Sequence, residues 1–223
     1  MKIGILSDTH GSSLYFDKAM ELLSDCDILL HAGDILYHGP RNDLPKGYNP
    51  KELIKKLNET DNILFVKGNC EADVDQMVLN HPIQSPYAVA QFNELRFVLN
   101  HGYTESREEI IEKSKMMNAD FLILGHTHVK EFTIDDGLIV INPGSTSIPK
   151  DGTHSVAIVE INTEDNEDSL EHCGCGCDHE PHDHYEECEC ECGHDHSHED
   201  EIIIDIDFYD IETGEKIEEV KSF

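Results

Sequence analysis

Five short apolar runs in this chain each stop at residues able to hold a metal ion. They are MKIGILSDTH, ending at Asp8 and His10; DILLHAGD, ending at Asp34; NILFVKGN, ending at Asn69; LRFVLNHG, reaching His101; and FLILGHTH, ending at His126 and His128. Four to six β-forming residues cut short by Gly, Asp, Asn or His read as a buried strand entering a loop. In open α/β sheets such strand ends converge on one crevice. A fold that honours all five runs brings seven oxygen and nitrogen donors to one place.

The segments between the runs read as helices. SSLYFDKAMELLSD carries apolar residues at helical spacing, with Ser12 or Ser13 as cap. NPKELIKKLNE opens with Asn49 as cap, Pro50 at the first helical position and Glu52 at the third. CEADVDQMVLN reads as a short helix or turn, and SREEIIEKSKMMNAD as a helix with a Ser106–Glu109 capping box. Beyond GHTH the rhythm changes. EFTIDDGLIVINPGS predicts a hairpin turning at Asp136-Gly137. SVAIVEI, IIIDIDFYDI and KIEEVKS predict three more strands, the last two joined at Thr213-Gly214. The front half is thus α/β and the rest mostly antiparallel β. Two mixed sheets packed face to face, with helices outside, accommodate both.

At 223 residues the chain suits a single domain over 1–223. Residues 164–201 differ in kind: they hold six of the eight cysteines, seven histidines and sixteen acidic residues, with no Lys or Arg. Such a stretch cannot bury enough apolar surface to fold alone. It reads as an insertion in a hairpin loop, disordered without metal. The formal charge of −31 shows no basic stripe, which disfavours nucleic acid polymers and anionic membranes. The start is too soon interrupted for a signal peptide, and no apolar run reaches membrane-helix length. A soluble cytoplasmic protein is expected, and a homo-oligomer is left open.

The donor types suit Mn, Fe, Zn, Co or Ni. Asp8 and His10 stand two apart at a strand end. Asp34 has two oxygens and can bridge two ions, Asn69 offers an amide oxygen, and His126 and His128 can face different ions. The order D-x-H, G-D, G-N, H-G, G-H-x-H resembles the calcineurin-like metallophosphoesterases, from Asp8 through His128. HGPRNDLPKGYNP, GNCEADVDQM and NPGSTSIPK resemble their YfcE-type phosphodiesterase branch. The likeness covers about residues 1–161 and omits the Cys/His-rich insertion. It implies a four-layer α-β-β-α sandwich. It also implies two divalent ions, manganese first among the candidates: one on Asp8, His10, Asp34 and His128, the other on Asp34, Asn69, His101 and His126. The implied reaction is hydrolysis of small organic phosphodiesters by in-line attack of a hydroxide shared by the two ions, whose pKa as water falls from 15.7 toward ~7.

Cys70 replaces the His that many relatives carry after G-N. A thiol is a poor acid for a leaving oxygen, so diesters with leaving groups that need little protonation are expected. Cys70 reads alternatively as a small buried hydrophobe. Arg41 reads as a bidentate phosphate clamp or as a solvated loop charge. Two further roles compete with catalysis: an interaction scaffold, and metal buffering or sensing through CGCGC, CECEC and the nearby histidines, which suit additional soft ions over residues 173–198. If the insertion binds metal, deleting 164–201 lowers the number of soft ions bound, by elemental analysis, and leaves the core folded by circular dichroism. An unchanged metal count contradicts that role.

Overall fold

The first apolar run forms strand β1 (Lys2–Leu6). Ser12 then starts helix α1 (Ser13–Leu23), its hydroxyl accepting the Tyr15 N–H. Strand β2 (Ile28–His31) follows, then helix α2 (Pro50–Glu59), where the Asn49 side chain accepts the Glu52 N–H as its spacing predicts. The computed structural model of the protein describes residues 1–164 and 201–220. The chain continues through β3 (Ile63–Val66), α3 (Asp73–Val78), β4 (Ile83–Gln84), β5 (Ala88–Phe92), β6 (Leu95–Leu99), α4 (Arg107–Met116) and β7 (Phe121–Ile123). It ends with β8 (Lys130–Asp135), β9 (Leu138–Pro143), β10 (Ser155–Glu164), β11 (Glu201–Asp210) and β12 (Lys216–Val220).

The strands form two mixed sheets, ordered β12-β11-β10-β1-β2-β3-β4 and β5-β6-β7-β9-β8. Strands β1 to β4 are parallel, as are β6, β7 and β9. Parallel neighbours need a crossover; α1, α2, α3 and α4 lie in four of them, and β8 in the one from β7 to β9. On the first sheet, Leu6, Leu29, Phe65 and Ile158 pack with Phe16, Ala19 and Leu23 of α1 and Leu53 and Leu57 of α2. On the second, Val98, Leu122 and Val140 pack with Ile110 and Ile111 of α4. Side chains alternate across a strand, so Ile3, Ile5 and Leu30 face away from the helices, as do Phe97, Leu99, Phe121 and Ile123. All seven are fully buried, and β3 of one sheet contacts β5 of the other. The result is the expected α-β-β-α sandwich. Phe97 and Phe121, opposite each other in register, stack with ring centroids 4.1 Å apart.

Most predicted elements form where the sequence places them, including the hairpin at Asp136-Gly137, whose two positive φ angles (51° and 87°) suit a type I′ turn. Strands β4 and β5 carry no such signal. The first is two residues long, and in the second Val89 and Gln91 are exposed, so neither presents a clear apolar run. Residues Asn162–Ile203 separate from the main body as a second unit; the Cys/His-rich stretch, with the soft-metal sites expected there, lies outside the described residues. Among the described residues no helix is long and apolar enough to cross a membrane.

Candidate metal centre

All five ligand-bearing runs sit at the C-terminal ends of β1, β2, β3, β6 and β7, and the turns that follow have an unusual backbone. Among the described residues eight non-glycine positions have positive φ, and five of them are Asp8 (54°), His10 (44°), Asp34 (56°), His126 (69°) and His128 (59°). This left-handed region costs an L-residue about 1–2 kcal/mol and is most accessible to Asn, Asp and His. Sharp turns of this kind aim successive donors into one space instead of alternating them along an extended chain.

Hydrogen bonding fixes the direction of three imidazoles. Nδ1 of His10 lies 2.8 Å from the Tyr37 carbonyl, Nδ1 of His128 lies 2.8 Å from the Ile148 carbonyl, and Nδ1 of His101 lies 2.6 Å from the Ala32 carbonyl. A carbonyl only accepts, so each Nδ1 carries a proton, and each ring when neutral presents a bare Nε2 lone pair. These lone pairs point inward. The Nε2 atoms of His10 and His128 approach to 3.3 Å, which repels unless a cation or proton lies between them.

Two buried carboxylates face these nitrogens. Asp8 Oδ2 accepts from Ser7 Oγ and from the His126 N–H. Its Oδ1 has no hydrogen-bond partner, yet lies 3.2, 3.6 and 3.9 Å from Nε2 of His128, His10 and His101. Asp34 divides its oxygens, Oδ1 at 3.4 Å from His101 Nε2 and Oδ2 at 3.7 Å from His10 Nε2. Buried polar atoms without partners are rare in folded proteins; here Asp8 Oδ1 and His101 Nε2 are two of them, side by side. Donor atoms of Asp8, His10 and His128 lie mutually within 4.8 Å, as do those of Asp8, Asp34 and His101, and of His10, Asp34 and Cys70. The donor set and its orphaned atoms fit divalent cation binding.

The electrostatics agree. Burial pushes the Asp8 carboxyl up, but the imidazoles of His10, His128 and His101 more than reverse it and hold it well below the usual carboxylate range. Burial likewise opposes a charged His101, and Asp34 and Asp8 outweigh it, lifting His101 to about 9. The site demands positive charge, and without metal it draws in protons.

Several residues that hold this geometry escape sequence reading. Glu71 is 7% exposed and accepts from the N–H groups of Asp34, Ile35 and Gly68, tying the Asp34 turn to the Asn69 turn. The intervening Gly68 has no room for a side chain, because a Cβ there would collide with the Asp34 carboxylate. His31 accepts the Gly33 N–H at Nδ1, so its Nε2 donates to Thr9 Oγ1, which donates to the Ile35 carbonyl. Burial lowers its pKa to about 3 and keeps the ring neutral. The NPGSTS segment braces the first turn: Ser145 and Ser147 hydroxyls donate to the Asp8 carbonyl and Thr146 to the Ser7 carbonyl. Serine, threonine and a lone buried acid have no spacing signature, so only contacts reveal these roles.

The remaining expected residues lie at the rim. The His126 ring stands 5.2 Å from that of His101. Asn69, Arg41 and Lys150 line a cavity of about 340 Å³ with Asp34, His126 and His128. The Cys70 N–H donates to Asp34 Oδ1, and burial together with Asp34 raises its thiol pKa. Cys26 packs against the helix-side core, as a small apolar residue would. Replacing Glu71 with Ala strands three N–H groups and is expected to lower the unfolding free energy of metal-free protein by about 2–4 kcal/mol, with Glu71→Asp in between. A urea titration showing no loss in either variant contradicts the brace.

Known proteins share this architecture and these motifs. The model of the calcineurin-like phosphoesterase superfamily domain matches residues 1–164. Phosphodiesterase YfcE of Escherichia coli is 38% identical over 155 residues, covering 68% of this chain and 83% of the relative. The solved structure of E. coli YfcE, a phosphoesterase, has a TM-score of 0.69 at 28% identity and covers 99% of both chains. Vps29 of Entamoeba histolytica, solved with Zn²⁺, shares the fold with a TM-score of 0.55 at 18% identity, over 99% of each chain. With its family model matched from β1 into β10, the chain belongs to the calcineurin-like phosphoesterase superfamily.

Proposed function

We propose that the protein is a divalent-metal-dependent phosphodiesterase acting on small organic phosphodiesters. The observation that carries this reading is the convergence of three inward Nε2 lone pairs on two buried carboxylates, with Asp8 Oδ1 and His101 Nε2 left unpartnered. Asp8, His10, Asp34 and His128 would hold one ion, and Asp34, Asn69, His101 and His126 the other. Manganese is the first candidate, ahead of Ni, Fe, Zn and Co. Such a pair supplies Lewis acidity, lowering the pKa of water toward ~7 and taking up charge on phosphoryl oxygens.

The protein's own groups then do the rest. The carbonyls of Tyr37, Ile148 and Ala32 keep the imidazoles turned inward. Arg41 and Lys150, on the walls of the cavity that Asp34 lines, orient a phosphate by charge and hydrogen bonds. Cys70 is poorly suited to protonate a leaving oxygen, because burial and Asp34 hold its proton tightly. Leaving groups that depart as stable anions are therefore favoured, which selects activated or aryl diesters. The scaffold alternative expects the donor set to be lost, whereas all seven donors are present. A role for additional soft ions in residues 173–198 rests on the sequence alone.

Chelator-treated protein is expected to lose hydrolysis of bis(p-nitrophenyl) phosphate and to regain it with Mn²⁺. Asp34→Ala or His101→Ala should reduce the restored kcat on the order of 100-fold or more. Full activity in either variant, or no hydrolysis under any divalent ion, rules the reading out.

A further inference from the structure

A second cavity of about 300 Å³ adjoins the one above the proposed metal centre, and the two share Arg41, Asn42 and Asn69 on their walls. Their chemistry differs. The first contains a carboxylate, two imidazoles and the two cations Arg41 and Lys150. The second is walled by Tyr37, Gly39, Pro40 and Cys70, and Arg41 is its only charged lining residue.

This second lobe is a built feature. The Tyr37 ring packs edge-on against His38, and His38 against Tyr48, with centroids 4.7 and 5.3 Å apart. The Asn42 amide donates to the His38 carbonyl and closes the loop on itself. The Tyr37 carbonyl accepts from His10 Nδ1, so the residue whose ring forms the wall is anchored to a candidate ligand. A Cβ at position 39 would stand 3.1 Å from Cys70 Sγ and crowd the floor, and the residue there is Gly, at φ +78°.

We infer that the lobe walled by Tyr37, Pro40 and Cys70 is a specificity subsite for one uncharged, planar ester group of a phosphodiester, whose phosphate sits between Arg41 and Lys150. The inference rests on the phosphodiesterase reading and names its substrate class. A diester has two substituents, and two adjoining lobes give each a place; a monoester leaves one lobe unused. A wall of Tyr37 and Pro40, with Arg41 as the only charged lining residue, favours a flat, apolar group over a charged one, because burying an unpaired charge is costly. Both cavities lie at the small end for ligand sites, so the substituents are small.

The test uses isothermal titration of unreactive diesters into Mn²⁺-loaded full-length protein, and so does not depend on turnover. Diphenyl phosphate is expected to bind about tenfold more tightly than dimethyl phosphate. Tyr37→Ala should remove most of that preference by weakening diphenyl phosphate far more than dimethyl phosphate, while Tyr37→Phe retains it. Lys150→Ala should weaken both ligands by a similar factor. Equal affinities in the parent protein, or an undiminished preference in a folded Tyr37→Ala variant, overturn the subsite. A preserved preference with no hydrolysis of any diester would instead sink the parent reading alone.

Discussion

Two carboxylates buried opposite three imidazoles, each imidazole with its outer proton committed to a backbone carbonyl, set the terms for the rest of this molecule. Asp8 is fully buried and Asp34 is 2% exposed. Neither has a Lys or Arg against it among the described residues. Such charges are tolerated inside a protein only when compensated. The carbonyls of Tyr37, Ile148 and Ala32 remove the simplest compensation, a ring N–H turned inward on a neutral histidine. What remains is an imidazolium or a metal ion, and the proposed cation pair satisfies every inward atom at once.

The sandwich explains how so many donors reach one point. Parallel strands in both sheets present their C-terminal ends, and left-handed turns at Asp8, His10, Asp34, His126 and His128 crowd the donors together. That strain persists because other contacts hold it. Glu71 ties the second strand's turn to the third's, His31 and Thr9 link the first to the second, and Ser145, Thr146 and Ser147 grip the first from the far side. The proposed function is concentrated in a few atoms, and their support is spread over all of these turns.

Much of this was legible in the sequence, for identifiable reasons. Candidate ligands that end apolar runs announce both the strand and the loop after it, so the strands and the seven candidate donors at their ends could be read together. Caps such as Asn49 and Ser106 mark helix starts because their side chains satisfy defined N–H groups. Strands β4 and β5 were not legible, being short or half exposed. Nor was the importance of Glu71, His31 or the NPGSTS hydroxyls, since a hydrogen bond to a distant backbone atom leaves no periodicity. Lys150 was unreadable as a cavity residue for the same reason: it comes to the site through the fold, 22 residues after His128.

The central claim is that cations bind between Asp8 and Asp34. Anomalous diffraction from crystals grown with manganese addresses it directly. The account predicts two peaks about 3.5–4 Å apart, one enclosed by Asp8, His10 and His128 and one beside His101, with Asp34 touching both. A map with manganese only elsewhere, or with those imidazoles turned from the carboxylates, would contradict it.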